Sequence, residues 1–219
     1  MGKTILTPIQ RKAISTIAAD AIVRKHFYLS GGTALAEYYL HHRLSEDLDF
    51  FSENEIDVQW LNTLSGKIQS TVGASKKDLQ QSFNRNLAFF TIGKTILKTE
   101  FTYFPFTQVE KPMIADNLHI DSLLDIAVNK FFTIYQQPAS RHFIDLFCIL
   151  QSSGIAWDNL PKLARIKFDT VIDPLQLGSQ LIIAKNIGQL PCMILPVKET
   201  AWRSFFLEKA RYLKKEIGQ

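Results

Sequence analysis

The chain is 219 residues long, and at roughly 100–200 residues per domain it holds one large domain or two small ones. Hydrophobic residues at 46% and charged residues at 21% exclude a disordered or collagen-like chain, and two cysteines, Cys148 and Cys192, without paired spacing exclude a disulfide scaffold or a cysteine-rich zinc site. A formal net charge of +4 helps approach to a polyanion without requiring one.

The opening run MGKTILTPIQRKAIS is too polar for a signal peptide, and no stretch approaches the ~18 apolar residues of a membrane span, so a soluble, cytoplasmic protein with no membrane contact is expected. Thr7 and Pro8 read as an N-cap and a first-turn proline, with Ile9, Ile14 and Ile17 on one face of a helix that runs to about Ala19. His26 to Ser30 is a short apolar strand that ends at Gly31-Gly32, after which Thr33 caps a second helix, ALAEYYLHH. Leu44 to Phe51 alternates as a strand, and a helix follows from Val58 to about Thr71. LAFFTI and TILKTEFTYF, separated by Gly93-Lys94, read as an antiparallel hairpin extending the same sheet. From His119 the period becomes helical, in SLLDIAVNKFFTIY and SRHFIDLFCILQSSG, with further helices at Trp157 to about Val171, Pro174 to Ala184 and Lys198 to about Ile217. The organisation expected is therefore a mixed α/β (α+β) domain over residues 1–112 and a helical domain over residues 113–219, with Pro112 near the boundary.

The chemistry is concentrated between Leu29 and Phe51. On a strand, Asp47 and Asp49 point to one side while Leu48 and Phe50 face the core. Two carboxylates so close raise each other's proton affinity, a cost that a divalent cation removes, and Mg²⁺ (or Mn²⁺) with phosphate oxygens is the usual oxygen-only partner. Gly31 and Gly32 let backbone approach a phosphate chain, Ser30 and Thr33 add hydroxyl donors, and Arg43 and Ser45 stand just before the acidic strand, where they can pin a β or γ phosphate. Glu100, on the same strand face as Lys98 and Thr102, is the candidate third carboxylate for holding a second metal ion and activating an attacking hydroxyl. A Gly-Gly turn or an Asp-x-Asp pair alone is unspecific; their order, with the acids set between apolar neighbours, is what carries the assignment.

The stretch GGTALAEYYLHHRLSEDLDFF, with its Gly31–Leu35 run and its His42–Phe51 run, closely resembles the opening signature of the AbiEii/AbiGii toxin family of nucleotidyltransferases, in the polymerase-beta-like nucleotidyltransferase superfamily. The resemblance implies a polymerase-beta-like nucleotidyltransferase domain with a mixed sheet, followed by a helical domain. It implies transfer of a nucleoside monophosphate from an NTP to an acceptor, with Asp47 and Asp49 holding the metals, Gly31 and Gly32 near the triphosphate, and Glu100 as counterpart of the family's third acidic position. Lys130 and the run Arg141-His142-Phe143-Ile144-Asp145-Leu146 occupy the places of a helical lysine and an Arg-Asp-x-x-Asp-Leu segment, with His142 where the family commonly has its first Asp, so that no acid-base role carries over to that position. Lys130 is then expected to contact triphosphate, and Arg141 and Asp145, four apart on one helix face, permit either an internal ion pair or a substrate contact.

The resemblance further implies an RNA or tRNA acceptor, the toxin half of a toxin-antitoxin or phage-defence pair, and a cognate antitoxin. A catalytically silent nucleotide- or RNA-binding protein of the same fold, or a transferase acting on a small molecule or protein, is the alternative. Phe89, Phe90, Phe101, Phe104, Phe131 and Phe132 read as core, Tyr103 as a residue one strand face could offer for base stacking, and Lys162, Arg165 and Lys167 as a solvated helix face that could otherwise serve RNA.

Overall fold

The computed structural model describes residues 4–217. They divide into two compact units, one built from the residues up to Tyr39 and Leu44–Ser122, the other from Leu40–Arg43 and the chain from Leu123 onward.

The first unit is organised on a mixed sheet whose seven described strands run in the order Lys76–Ser82, Arg85–Ile92, Thr95–Tyr103, Asp47–Ser52, Tyr28–Ser30, Leu118–Ile120 and Met113–Ala115. Thr7 and Gln10 form a reciprocal capping box at the start of α1 (Pro8–Ala18), with Pro8 in the first turn as expected. Asp20 caps α2 (Ala21–His26), which leads into β1 (Tyr28–Ser30). The glycine turn opens α3 (Gly31–Leu35), which widens at once into a π-helical turn over Ala36–Leu40 instead of continuing as the α-helix that the sequence suggested. β2 (Asp47–Ser52) starts three residues later than the alternation from Leu44 indicated. α4 (Val58–Val72) is capped by Asp57 and stopped by Gly73 in the left-handed region.

The expected hairpin is present as β4 (Arg85–Ile92) and β5 (Thr95–Tyr103). Three strands had no sequence signal. β3 (Lys76–Ser82), KKDLQQS, is a polar edge strand whose composition hides its pairing with β4. β6 (Met113–Ala115) and β7 (Leu118–Ile120) are too short to show a period, yet β7 joins β1 in parallel. Because that hairpin belongs to the sheet, the boundary expected near Pro112 falls after Ser122.

One sheet face packs under α4. Leu48, Phe50, Phe90 and Phe101 are fully buried there, with Phe50 stacked on Phe101 at 5.2 Å and Trp60 of α4 edge-on to Phe101 at 6.1 Å. The opposite face carries Asp47 and Asp49, as strand alternation requires.

The second unit contains α5 (Leu123–Gln136), α6 (Ser140–Ser152), α7 (Leu160–Phe168), α8 (Pro174–Ile182) and α9 (Glu199–Ile217), close to the expected spans. Phe143, Trp202 and Phe206 are buried in its core, where Phe143 stacks on Trp202 and meets Phe206 edge-on. Lys167 corrects the reading of α7 as a solvated basic face: its ammonium is buried and donates to Asp125 at 2.6 Å. Among the described residues, no helix is long and apolar enough to cross a membrane.

Candidate active site

β2 and β5 run parallel with Asp47 opposite Lys98 and Asp49 opposite Glu100. Side chains of paired residues share a sheet face, so the three acids and Lys98 lie on the face away from α4. Lys98 donates from Nζ to Asp47 Oδ2 at 2.7 Å and stands 4.0 Å from Glu100 Oε2. Glu100 is gripped from the other side: Arg85, on the neighbouring strand β4, donates through Nε and Nη2 to its two oxygens at 2.8 Å each, and Thr102 Oγ1 donates at 2.7 Å. Burial would raise the Glu100 pKa, but the hydrogen bonds from Arg85 and Thr102 outweigh it and hold the carboxyl below its ordinary value. Glu100 is therefore an ionised hydrogen-bond acceptor at neutral pH.

The glycine turn meets this face directly. Ser30 is paired with Asp49 across β1 and β2, and Gly31 follows it at φ +73°. A Cβ on Gly31 would collide with the Asp49 carboxylate, lying 3.2 Å from Cγ and closer still to Oδ2. Gly31 is thus required both by its backbone angle and by the space that Asp49 occupies. Gly31→Ala is accordingly expected to lower nucleotidyl transfer by about 100-fold or more while costing roughly 1–3 kcal/mol of stability, measured as kcat on the purified variant and by urea denaturation.

The Ser30 and Thr33 hydroxyls expected to serve phosphate are committed to protein acceptors. Ser30 occupies the cap position of α3 without capping it and donates to Asp121 Oδ2 at 2.6 Å. Thr33 lies within α3, with Gly32 before it, and donates to the backbone carbonyl of Asp47, which ties the helix to the start of the acidic strand. Ser45 offers its carbonyl to Gln10 Nε2 at 2.8 Å. Asp121, fully buried, also accepts from Gln108 Nε2 at 2.7 Å. Asp121, Gln108, Arg85 and Lys98 were not singled out by sequence. Of these only Lys98 carried a signal, its shared strand parity with Glu100; Arg85 opens β4, and Gln108 and Asp121 lie outside the strands and helices.

The remaining expected residues gather in the second unit around Asp145. This fully buried carboxylate accepts from Arg43 Nε at 2.6 Å and Nη2 at 2.8 Å and pairs with Lys130 Nζ at 2.8 Å. His42 Nε2 lies 2.9 Å from Asp145 Oδ1, so this nitrogen carries the proton. Burial pushes the Asp145 pKa up, but the Lys130 charge and the hydrogen bonds from Arg43 and His42 overcome it and leave the group well below the usual carboxylate range. The Arg141–Asp145 ion pair that the helix spacing permitted is not formed: Asp145 pairs with Arg43 and Lys130 instead, and Arg141 is exposed. His142 is driven to a pKa of about 3 by burial, and then by the charges of Lys130 and Arg141. It is neutral at physiological pH.

Among the described residues, no three of the His, Cys, Asp and Glu side chains converge as a metal cage. The donor set nevertheless suits a hard divalent cation at Asp47 and Asp49. The two are oxygen ligands on one face, Asp47 already attracts the Lys98 ammonium, and Mg²⁺ is ordinarily held by one or two carboxylates with substrate phosphates completing the shell. Glu100 already accepts two hydrogen bonds at Oε1, from Arg85 and Thr102, and one at Oε2, from Arg85, so Oε2 is the oxygen with acceptor capacity left.

Known proteins resemble this chain in sequence and in fold. The chain is 30% identical over 166 residues to an uncharacterized protein of Aquifex aeolicus (strain VF5), spanning 74% of this chain and 75% of that protein. Its fold is similar to that of JHP933 from Helicobacter pylori, with a TM-score of 0.57 at 16% identity over 96% of this chain and 90% of the other. A second Helicobacter pylori structure, described as a candidate nucleotidyltransferase, aligns with a TM-score of 0.50 at 17% identity over 96% and 93% of the two chains. The sequence profile described as "Nucleotidyl transferase AbiEii toxin, Type IV TA system" matches residues 13–206. With its acid-bearing sheet face and glycine turn, the chain belongs to the AbiEii family of toxin nucleotidyltransferases.

Proposed function

We propose that the protein transfers a nucleoside monophosphate from an NTP to an RNA acceptor, with tRNA the foremost candidate, as the toxin of a toxin-antitoxin pair in a Mg²⁺-dependent reaction. The observation that carries this reading is the Asp47–Asp49 pair set against the Gly31 turn, with Glu100 in register beside it. Asp47 and Asp49 would hold Mg²⁺, which when bound neutralises phosphate charge and polarises the phosphorus for attack. The chain's own groups do the rest. Gly31 leaves room for the Asp49 carboxylate at the turn where the triphosphate would bind. Glu100, kept ionised by Arg85, accepts a hydrogen bond from the acceptor hydroxyl and orients its oxygen, which bonds to the α-phosphorus as the bond to pyrophosphate breaks, the hydroxyl proton passing by way of Glu100 to solvent. Within the second unit, Asp145 fixes Arg43 and Lys130.

The test incubates purified protein with Mg²⁺, each labelled NTP in turn and total cellular RNA. Label in RNA with one pyrophosphate released per nucleotide is expected. NTP binding without pyrophosphate release in the presence of RNA, protein and small-molecule acceptors would establish the catalytically silent alternative instead. Growth arrest on expression, relieved by a cognate antitoxin, tests the biological role.

A further inference from the structure

The register that gathers the acids also aligns residues on the two strands beyond them. One row across the sheet reads Asp78, Phe89, Lys98 and Asp47; the next reads Gln80, Leu87, Glu100, Asp49 and Ser30. All of these share the face away from α4. At ~4.8 Å between strands, Phe89 is about 10 Å from Asp47 and Leu87 is one strand from Glu100. Phe89, read from sequence as core, is instead half-exposed, whereas its neighbour Phe90 is fully buried. Among the described residues the Phe89 ring stacks on no other aromatic ring. Leu87 is likewise half-exposed, and Ile96, two positions along β5 from Lys98, is 62% exposed. Tyr103, suggested by sequence as a stacking residue, shares the parity of Phe101 and so belongs to the other face.

An uncovered antiparallel sheet face is normally polar. This one keeps an aromatic ring and two aliphatic side chains between Asp78 and Gln80 on β3 and two cations, Lys98 and Arg85, which are themselves paired with Asp47 and Glu100, and it is continuous with the acids. Sheet order also gives the direction of approach. The glycine turn follows β1, on one side of the acid-bearing strands β2 and β5, and β4 and β3 lie on the other. With the NTP at the glycine turn, the acceptor hydroxyl must reach Glu100 from the β4 side.

We propose that the open face of β3, β4 and β5 is the acceptor platform, and that it takes the single-stranded end of an RNA, with a base stacked on Phe89 and the adjoining phosphate beside Lys98 and Arg85. This deepens the RNA-acceptor reading above and rests on it. A flat ring on an open strand is how sheet surfaces hold unpaired bases, since every base has a π-face and no particular sequence is required. Double-stranded RNA could not offer a base face to the ring, so the acceptor segment is unpaired.

The experiment uses the full chain, Mg²⁺, the labelled NTP that it transfers and an RNA that the wild type labels. It compares Phe89→Leu, which keeps apolar volume, with Phe89→Ala and Phe89→Tyr. Stacking worth ~1–3 kcal/mol per base predicts that Phe89→Leu and Phe89→Ala raise the KM for RNA about tenfold, leave the KM for NTP within twofold, and that Phe89→Tyr restores the wild-type value. Thermal unfolding of each variant establishes that it is folded, and Phe89→Leu carries the test if Phe89→Ala is not. An unchanged RNA KM in folded Phe89→Leu overturns the platform while leaving RNA transfer intact. Labelling by the wild type of a protein or a small molecule, and of no RNA, overturns the RNA-acceptor reading and the platform with it.

Discussion

Asp49→Asn is expected to lower kcat for nucleotidyl transfer by roughly 10²–10³-fold, the loss typical when one preorganised charge partner of a transition state is removed. Asn keeps the shape of the side chain beside Gly31, so the turn has no new clash to accommodate. It removes a negative charge from a face on which Asp47 and Glu100 are also acidic, which relieves repulsion, and stability is expected to stay within about 1 kcal/mol, roughly 2–4 °C in Tm for a chain of this size. The substitution also halves the carboxylate pair proposed to hold Mg²⁺, and the Mg²⁺ concentration for half-maximal rate is expected to rise. Pyrophosphate release at varied Mg²⁺, measured beside a thermal melt, separates a lost ligand from a lost fold. A variant with wild-type turnover and wild-type Mg²⁺ dependence would remove Asp49 from the chemistry altogether.

The acids were legible because a strand imposes a period of two on its side chains, so that Leu48 and Phe50 in the core oblige Asp47 and Asp49 to share the other face. The same parity linked Glu100 to Lys98 and Thr102. What parity cannot supply is the neighbouring strand. The clamp of Arg85 on Glu100 depends on a β4–β5 register set by the hairpin, and the Ser30–Asp121 bond spans 91 positions of sequence. The role of Gly31 was legible only in part. The need for glycine could be read from the turn, but the space reserved there is for a carboxylate of the chain itself, which local sequence does not reveal. Phe89 and Phe90 illustrate the same limit. Adjacent phenylalanines in a strand must face opposite ways, yet which one is covered depends on where α4 lies.

Asp145→Asn is expected to destabilise the protein by about 3–5 kcal/mol, because it leaves the buried guanidinium of Arg43 and ammonium of Lys130 without their counter-charge. A neutral amide still accepts at its oxygen, but it turns donors toward donors at its nitrogen, and His42, which also donates to this carboxylate, loses a charged acceptor. The penalty follows from breaking the pair rather than from any large net value of the pair itself, so replacing Asp145, Arg43 and Lys130 together by apolar residues of similar volume should recover much of the loss. The pH dependence has a definite sign. Asp145 has a folded pKa below its unfolded value of about 3.9, so its contribution is complete above that value and is lost as pH falls through the folded pKa. Acid should therefore erode wild-type stability below about pH 4 more steeply than that of the variant, which lacks this titrating group. Urea denaturation of both proteins between neutral pH and pH 3 measures the difference. If the two curves stay parallel across that range, Asp145 is not the carboxylate whose ionisation holds the second unit together.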